Sequence, residues 1–310
     1  MKNSNLDVKE NAVISTLWSG ASHYWLFGLG LVKTVILARL VPPEYFGIVA
    51  IAQAWVTYFT IFRFDFRTVI VTLENESRNI LSVQYWLDNI LSWSGLILAF
   101  ICYLSYPKIL FLLGDVPENW INNVWIAVFT LLFVVGFESL TSTPRYLIER
   151  RLRQDIIAKL TIVQAFIGLV FAIGFAIRGY YLIAIMLDLA IAALVVGIGA
   201  FWTTRWFPKL IWDKAVARNL IEYAFTLWTT GLLGKIVFQV DDWLVGTISK
   251  TRTKIWLSSG VLPVAYYSRA YSAGKMPMDI FAGMIGQIAL PFYARSASVS
   301  SESLKNAYNN

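Results

Sequence analysis

The chain has 310 residues, of which 57% are hydrophobic and 15% charged, with a formal net charge of +7 and a mean hydropathy of +0.60. A soluble domain carries roughly 25% charged residues; a chain with this few cannot cover a water-facing surface, so most of its outside must face lipid. One cysteine, Cys102, and one histidine, His23, exclude an intrachain disulfide framework and a Cys/His metal site of ordinary ligand count.

A span needs about 20 mainly apolar residues. Eight such runs follow in chain order: about Ile14 to Leu37, Gly47 to Phe64, Tyr85 to Tyr106, Trp120 to Leu140, Ile156 to Ile177, Tyr181 to Thr203, Leu220 to Val240, and Val261 or Ala273 to Tyr293. The last is interrupted by Arg269, Lys275 and Pro277, which predicts a late start or a kink. The polar stretch Met1 to Asn11 leads straight into the first run with no small-residue cleavage site, so that run is expected to be retained. Val41-Pro42-Pro43-Glu44, Gly114-Asp115-Val116-Pro117 and Arg178-Gly179 punctuate the connections.

The basic residues lie in short clusters between apolar runs, where juxtamembrane charges sit, which argues against nucleic acid as a partner. Arg67 and Arg78 follow span two, Arg145, Arg150, Arg151 and Arg153 follow span four, and Arg205, Lys209, Lys214 and Arg218 follow span six. Arg39, Lys108 and Arg178 are single charges in the opposite loops; Lys250, Arg252 and Lys254 are the exception to the bias. The asymmetry predicts both termini in the cytoplasm.

Charges inside a bilayer are costly, so they tend to face a cavity or a partner. At 100° per residue, Gln53, Thr57 and Thr60 share one face of span two, and Arg67 joins them if the helix continues that far. Trp228, Gly231, Lys235, Gln239 and Asp242 form a second stripe on span seven, and His23, Gly30 and Lys33 a third on span one with Arg39 at its outer end. Lys235 and Asp242 are two turns apart and could equally satisfy each other, and Arg67 could equally snorkel to headgroups. Glu138 and Asp188 lie inside spans four and six as either interhelical hydrogen-bond partners or ion-coupling groups.

Several stretches resemble the oligosaccharide flippases of bacterial polysaccharide synthesis, in the multidrug/oligosaccharidyl-lipid/polysaccharide exporter superfamily. They are Leu37-Ala38-Arg39-Leu40-Val41-Pro42-Pro43-Glu44-Tyr45-Phe46-Gly47, Phe64-Asp65-Phe66, Pro144-Arg145 with Glu149-Arg150-Arg151-Leu152-Arg153, and Trp206-Phe207-Pro208-Lys209 with Asp213. Asp241-Asp242-Trp243-Leu244-Val245-Gly246, followed by Ala265-Tyr266-Tyr267-Ser268-Arg269-Ala270, completes the set.

The resemblance implies an all-α polytopic membrane protein, a two-lobe transporter bundle of the multidrug-exporter type. Residues 1–204 would form the six-helix first lobe, 205–219 a cytoplasmic linker, and 220–310 a partial second lobe of about two helices. The same resemblance implies a bacterial inner-membrane protein that flips a polyprenyl-diphosphate-linked oligosaccharide by alternating access. Its partners would be that substrate, membrane lipids and a coupling H+ or Na+, with no cofactor and no metal. Arg39, Arg67, Lys235, Asp242 and Arg269 are then expected to line the substrate path, since guanidinium and ammonium groups suit a diphosphate. Glu138 and Asp188 are the candidates for ion coupling. Two other readings stand beside this one: a multidrug or cation exporter of the same superfamily, and a nonfunctional or auxiliary truncated fragment. An enzyme is not expected, because no nucleophile constellation and no large outer loop is present.

Overall fold

The computed structural model describes residues 18, 20, 24–72, 77–105, 118–151, 153–232, 265–275, 278 and 282; the side chains of Glu118, Asn119 and Asp188 lie outside the description. Among the described residues there is no strand. The helices are α1 (24–40), α2 (Pro43–Phe59), α3 (Phe66–Thr72), α4 (Arg78–Ser105), α5 (Glu118–Arg150), α6 (Gln154–Ile177), α7 (Tyr181–Thr204), α8 (214–232) and α9 (265–275). Four of them, α4 to α7, are long and apolar enough to cross a bilayer. The protein is an all-α polytopic membrane protein.

Local chemistry sets most boundaries. Pro43 opens α2, where a missing N–H costs nothing. The Asp65 carboxylate accepts from the backbone N–H of Arg67 at 3.1 Å and of Thr68 at 3.4 Å, and so caps α3. Asp213 does the same for α8, through Ala215 N–H at 2.9 Å and Val216 N–H at 3.3 Å. The α6–α7 turn is a Schellman motif. Gly179 N–H donates to the Ala176 carbonyl and Tyr180 N–H to that of Phe175, each at 3.0 Å. Gly179 has φ +83°, which suits glycine.

Several helices differ from the expected spans, and α4 begins at Arg78, seven residues before the expected Tyr85. The fourth run extends past Leu140, through Pro144, to Arg150. Its hydroxyl-rich stretch lowers the hydropathy but not the helicity, because Thr141 and Ser142 donate back to the carbonyls of Glu138 and Ser139. The second run stops at Phe59, and residues 60–65 form an irregular break before α3. Arg67 therefore does not continue the α2 stripe, and the hydroxyls of Thr57 and Thr60 bond to the Gln53 and Val56 carbonyls. The first run is described at residues 18 and 20 and from 24 onward, the seventh as far as residue 232, and most of the eighth lies outside the described residues.

The packing is inside out relative to a soluble bundle. On α6 the inward positions are Gln164, Gly168, Ala172 and Ala176, four apart, while Val163, Phe166, Val170 and Phe171 face outward. Small residues let membrane helices approach closely, and lipid covers the large ones. The largest core joins Ile48, Trp55 and Phe59 of α2 to Trp125, Val128 and Leu132 of α5, with Ala99 of α4 and Met186 of α7. Trp55 stacks on Phe59 at 5.6 Å and Trp125 on Phe129 at 5.5 Å.

Close approach is severe at Gly197 of α7, where a Cβ would sit 2.5 Å from Thr141 Cγ2 and 2.7 Å from Thr141 Cβ of α5. Replacing Gly197 with leucine is expected to destabilise the protein by about 1 to 3 kcal/mol through overpacking. Gly174, where a Cβ meets nothing within 4 Å, should accept alanine without loss. Melting temperatures of the two variants in detergent check the contrast.

Candidate functional site

The chain runs up and down, so its basic loops gather at one end of the bundle. Arg67, Arg78, Arg145, Arg150, Arg151, Arg153 and Arg205 are at or near helix ends there. The α1–α2 corner, the α6–α7 turn and α9 lie at the other end, where Tyr45 meets Tyr181 at 5.2 Å and Ala265 joins the Phe46 cluster.

Between these ends, a polar band crosses the otherwise apolar contact of α4 and α5. Asp88 of α4 is 2% exposed and accepts from Arg63 Nε at 3.4 Å. Its carboxylate also accepts from Ser142 Oγ of α5 at 2.7 Å and Ser92 Oγ at 3.4 Å. Asn89 exchanges bonds with Ser139: Ser139 Oγ donates to Asn89 Oδ1 at 3.0 Å, and Asn89 Nδ2 donates to the Ser139 carbonyl at 3.4 Å. Thr143 Oγ1 donates to Gln84 Oε1 at 2.9 Å. Hydrogen-bonded polar groups of this kind are what a lipid-enclosed interface tolerates.

Arg63 belongs to the break between α2 and α3, so the break is pinned to α4 by an ion pair. On its other side the break meets α8. Trp228 Nε1 donates to the Ile61 carbonyl at 2.6 Å, satisfying a backbone group that the missing helical turn leaves over. Phe64 packs edge-on against Phe225 and Trp228.

Nearer the basic end, Glu149 of α5 is buried and holds two arginines. Arg67 Nε is 2.5 Å from Glu149 Oε2, and Arg145 Nε is 3.3 Å from Oε1. Arg150 Nη1 donates to the Ile70 carbonyl of α3 at 3.1 Å. A cavity of about 180 Å³ opens beside this network. It is lined by Arg63, Glu138, Ser142 and Arg145, by Thr161 and Gln164 of α6, and by Ala192, Ala193, Val196 and Gly197 of α7. Three guanidinium groups, Arg63, Arg67 and Arg145, thus face three carboxylates, Asp88, Glu138 and Glu149. Such a space suits a few waters and a small ion, not a sugar-bearing diphosphate.

The residues expected from sequence separate into groups. Glu138 lines the cavity, and Arg67 is held by Glu149. Arg269 lies at the other end with its guanidinium 3.9 Å over the Phe46 ring. Arg39 is exposed near the end of α1, beside the same corner. The structure therefore does not bring Arg67 together with Arg39 or Arg269. Lys235, Asp242 and His23 lie outside the described residues, as does the side chain of Asp188. Arg63 and Asp88 do not stand out in the sequence. The available signal is the row Gln84, Asp88 and Ser92, four apart on one face of an apolar run. Among the described residues no group of His, Cys, Asp and Glu could hold a metal.

The sequence pattern of the family described as "Polysaccharide biosynthesis protein" matches residues 36–310. The chain belongs to that family. It is also similar to the succinoglycan biosynthesis transport protein ExoT of Rhizobium meliloti (strain 1021), at 23% identity over 223 residues. That alignment covers 72% of this chain and 43% of ExoT, so the chain spans less than half the length of the curated relative it matches. No solved structure matches it. The family is of the transporter and exporter type rather than enzymatic, and a polytopic bundle with a buried polar band suits it.

Proposed function

We propose that this protein acts in translocating a polyprenyl-diphosphate-linked oligosaccharide across the bacterial inner membrane by alternating access. The reading takes both termini as cytoplasmic and residues 1–204 as the first lobe. Residues 205–219 are the linker, and 220–310 open a second lobe. The observation that carries it is the broken second span. Arg63, in the break, is tied to α4 through Asp88, and the same break is tied to α8 through Trp228. Discontinuous helices with satisfied backbone at membrane depth are a recurring device of secondary transporters, and here the break joins the two proposed lobes.

In this reading the small cavity serves the driving ion, H+ or Na+, with Glu138 as its carboxylate and Asp188 as the second candidate. The diphosphate is met elsewhere, by Arg39, Arg269 and the span-seven residues Lys235 and Asp242. Arg67 holds α3 against α5 and reaches the substrate path only if the pair with Glu149 opens.

The test is complementation. A strain lacking its own polysaccharide exporter should regain surface glycan, and lose inner-leaflet lipid-linked intermediate, when it expresses this protein. Drug resistance raised without glycan export would favour the multidrug reading. Folded protein in the membrane with neither effect would count against transport by this chain.

A further inference from the structure

A second cavity, of about 250 Å³, lies at the basic end of the bundle, apart from the polar band. Its described lining is Arg78, Leu81, Leu147, Arg151, Thr204, Arg205 and Trp206. Three of these seven are arginines and none is acidic. Four parts of the chain supply them: the first turn of α4, the end of α5, the end of α7 and the segment after it.

The lining is built, not incidental. Arg205 has φ +49°, a left-handed conformation that a non-glycine residue adopts at a cost of about 1 to 2 kcal/mol. The segment after it is clamped onto α4. Lys209 N–H donates to Ser82 Oγ at 3.1 Å, and Trp86 Nε1 donates to the Lys209 carbonyl at 2.9 Å. Arg78 Nη2 donates to the Phe207 carbonyl at 3.3 Å, which uses one of five guanidinium donors. The indole Nε1–H of Trp206 is buried and has no hydrogen-bond partner within the protein. A buried donor without an acceptor costs about 1 to 3 kcal/mol.

Three guanidinium groups gathered from separate helices beside the α4 N-terminus favour an anion rich in acceptor oxygens. Phosphate has that chemistry. The surroundings indicate its source. Trp202 is 79% exposed, Leu210 is 90% exposed, and Phe207 is also exposed, all on the two elements that carry Arg205 and Trp206. Aromatic and aliphatic side chains so placed at a helix end fit the acyl and glycerol region of a bilayer.

We propose that this cavity is a binding site for the phosphate headgroup of an anionic membrane phospholipid. It would fasten the linker segment 205–213 and the basic ends of α4, α5 and α7 to the bilayer surface. The site is separate from the transport reading above and is tested without transport.

The experiment is native mass spectrometry of the purified protein after exchange into detergent with phosphatidylglycerol or phosphatidylcholine, with inorganic phosphate as a separate arm. Wild type should retain phosphatidylglycerol at least tenfold more strongly than phosphatidylcholine. Arg78→Gln with Arg205→Gly should abolish that preference. Glycine relieves the left-handed strain at position 205 while removing the charge, glutamine at 78 keeps a donor for the Phe207 carbonyl, and an unchanged melting temperature of the double variant separates loss of binding from loss of folding. Arg178→Gln, at the far end, should change nothing. Preference unaltered by the double variant would overturn the site. Stabilisation by inorganic phosphate, lost in the double variant and without lipid preference, would overturn the lipid as its source.

Discussion

Replacing Asp88 with leucine leaves Arg63 facing an apolar wall and is expected to destabilise the protein by about 3 to 5 kcal/mol. The carboxylate is 2% exposed while the guanidinium side chain is 23% exposed. Water in the adjoining cavity therefore reaches Arg63, which puts the effect toward the lower end of that range. Two further losses accompany it, since Ser142 and Ser92 also donate to Asp88. Asp88→Asn keeps an acceptor for Ser142 and should fall between wild type and leucine. The informative variant is the double Arg63→Met, Asp88→Leu. Breaking a buried pair is costly because one charge is stranded, whereas replacing both ions with apolar groups can be nearly neutral. The double variant should recover most of the melting temperature lost by the single one. Equal melting of Asp88→Leu and wild type in detergent would remove the pair from any role in holding the helix break.

The second large effect concerns function. Glu138→Gln is expected to lower glycan translocation at least tenfold, about 1.4 kcal/mol in a rate-limiting barrier, with folded yield unchanged. Asp88 and Glu149 are each held by named donors from two or more residues. Glu138 instead lines the cavity beside Arg63 and Arg145, where it is placed to exchange an ion. Glutamine keeps the size and polarity but cannot take up or release a proton, nor hold a cation by charge. Glu138→Asp should restore part of the rate. Translocation measured in vesicles under imposed proton and sodium gradients decides the matter. A glutamine variant exporting at the wild-type rate, with the same gradient dependence, would exclude Glu138 as the coupling group.

These two predictions differ in how far sequence anticipates them. Glu138 stands out as a lone carboxylate in a long apolar run, so a role is expected from hydropathy alone. Arg63 and Asp88 are harder to see. Arg63 lies at the edge of the second run, where a basic residue reads as interfacial, and Asp88 lies near the start of the third. Nothing in residues 60–65, Thr-Ile-Phe-Arg-Phe-Asp, is a strong helix breaker. A helix continuing to Arg67 is the natural expectation. The break exists because Arg63 finds Asp88, Trp228 accommodates the Ile61 carbonyl, and Asp65 starts a new helix.

Sequence alone determined the membrane character, the approximate course of the third to sixth spans and the turns at Pro43 and Gly179. A run of about 20 apolar residues has one low-energy environment, and the signals at Pro43 and Gly179 act within a few residues of themselves. Only the tertiary structure decided which charges cancel. Arg63 and Asp88 are 25 residues apart, and Arg67 and Glu149 are 82 apart. The periodicity of one helix says which side chains share its face, but not which helix that face meets. In a low-dielectric interior that meeting decides whether an arginine is a ligand awaiting a substrate or half of a pair already made.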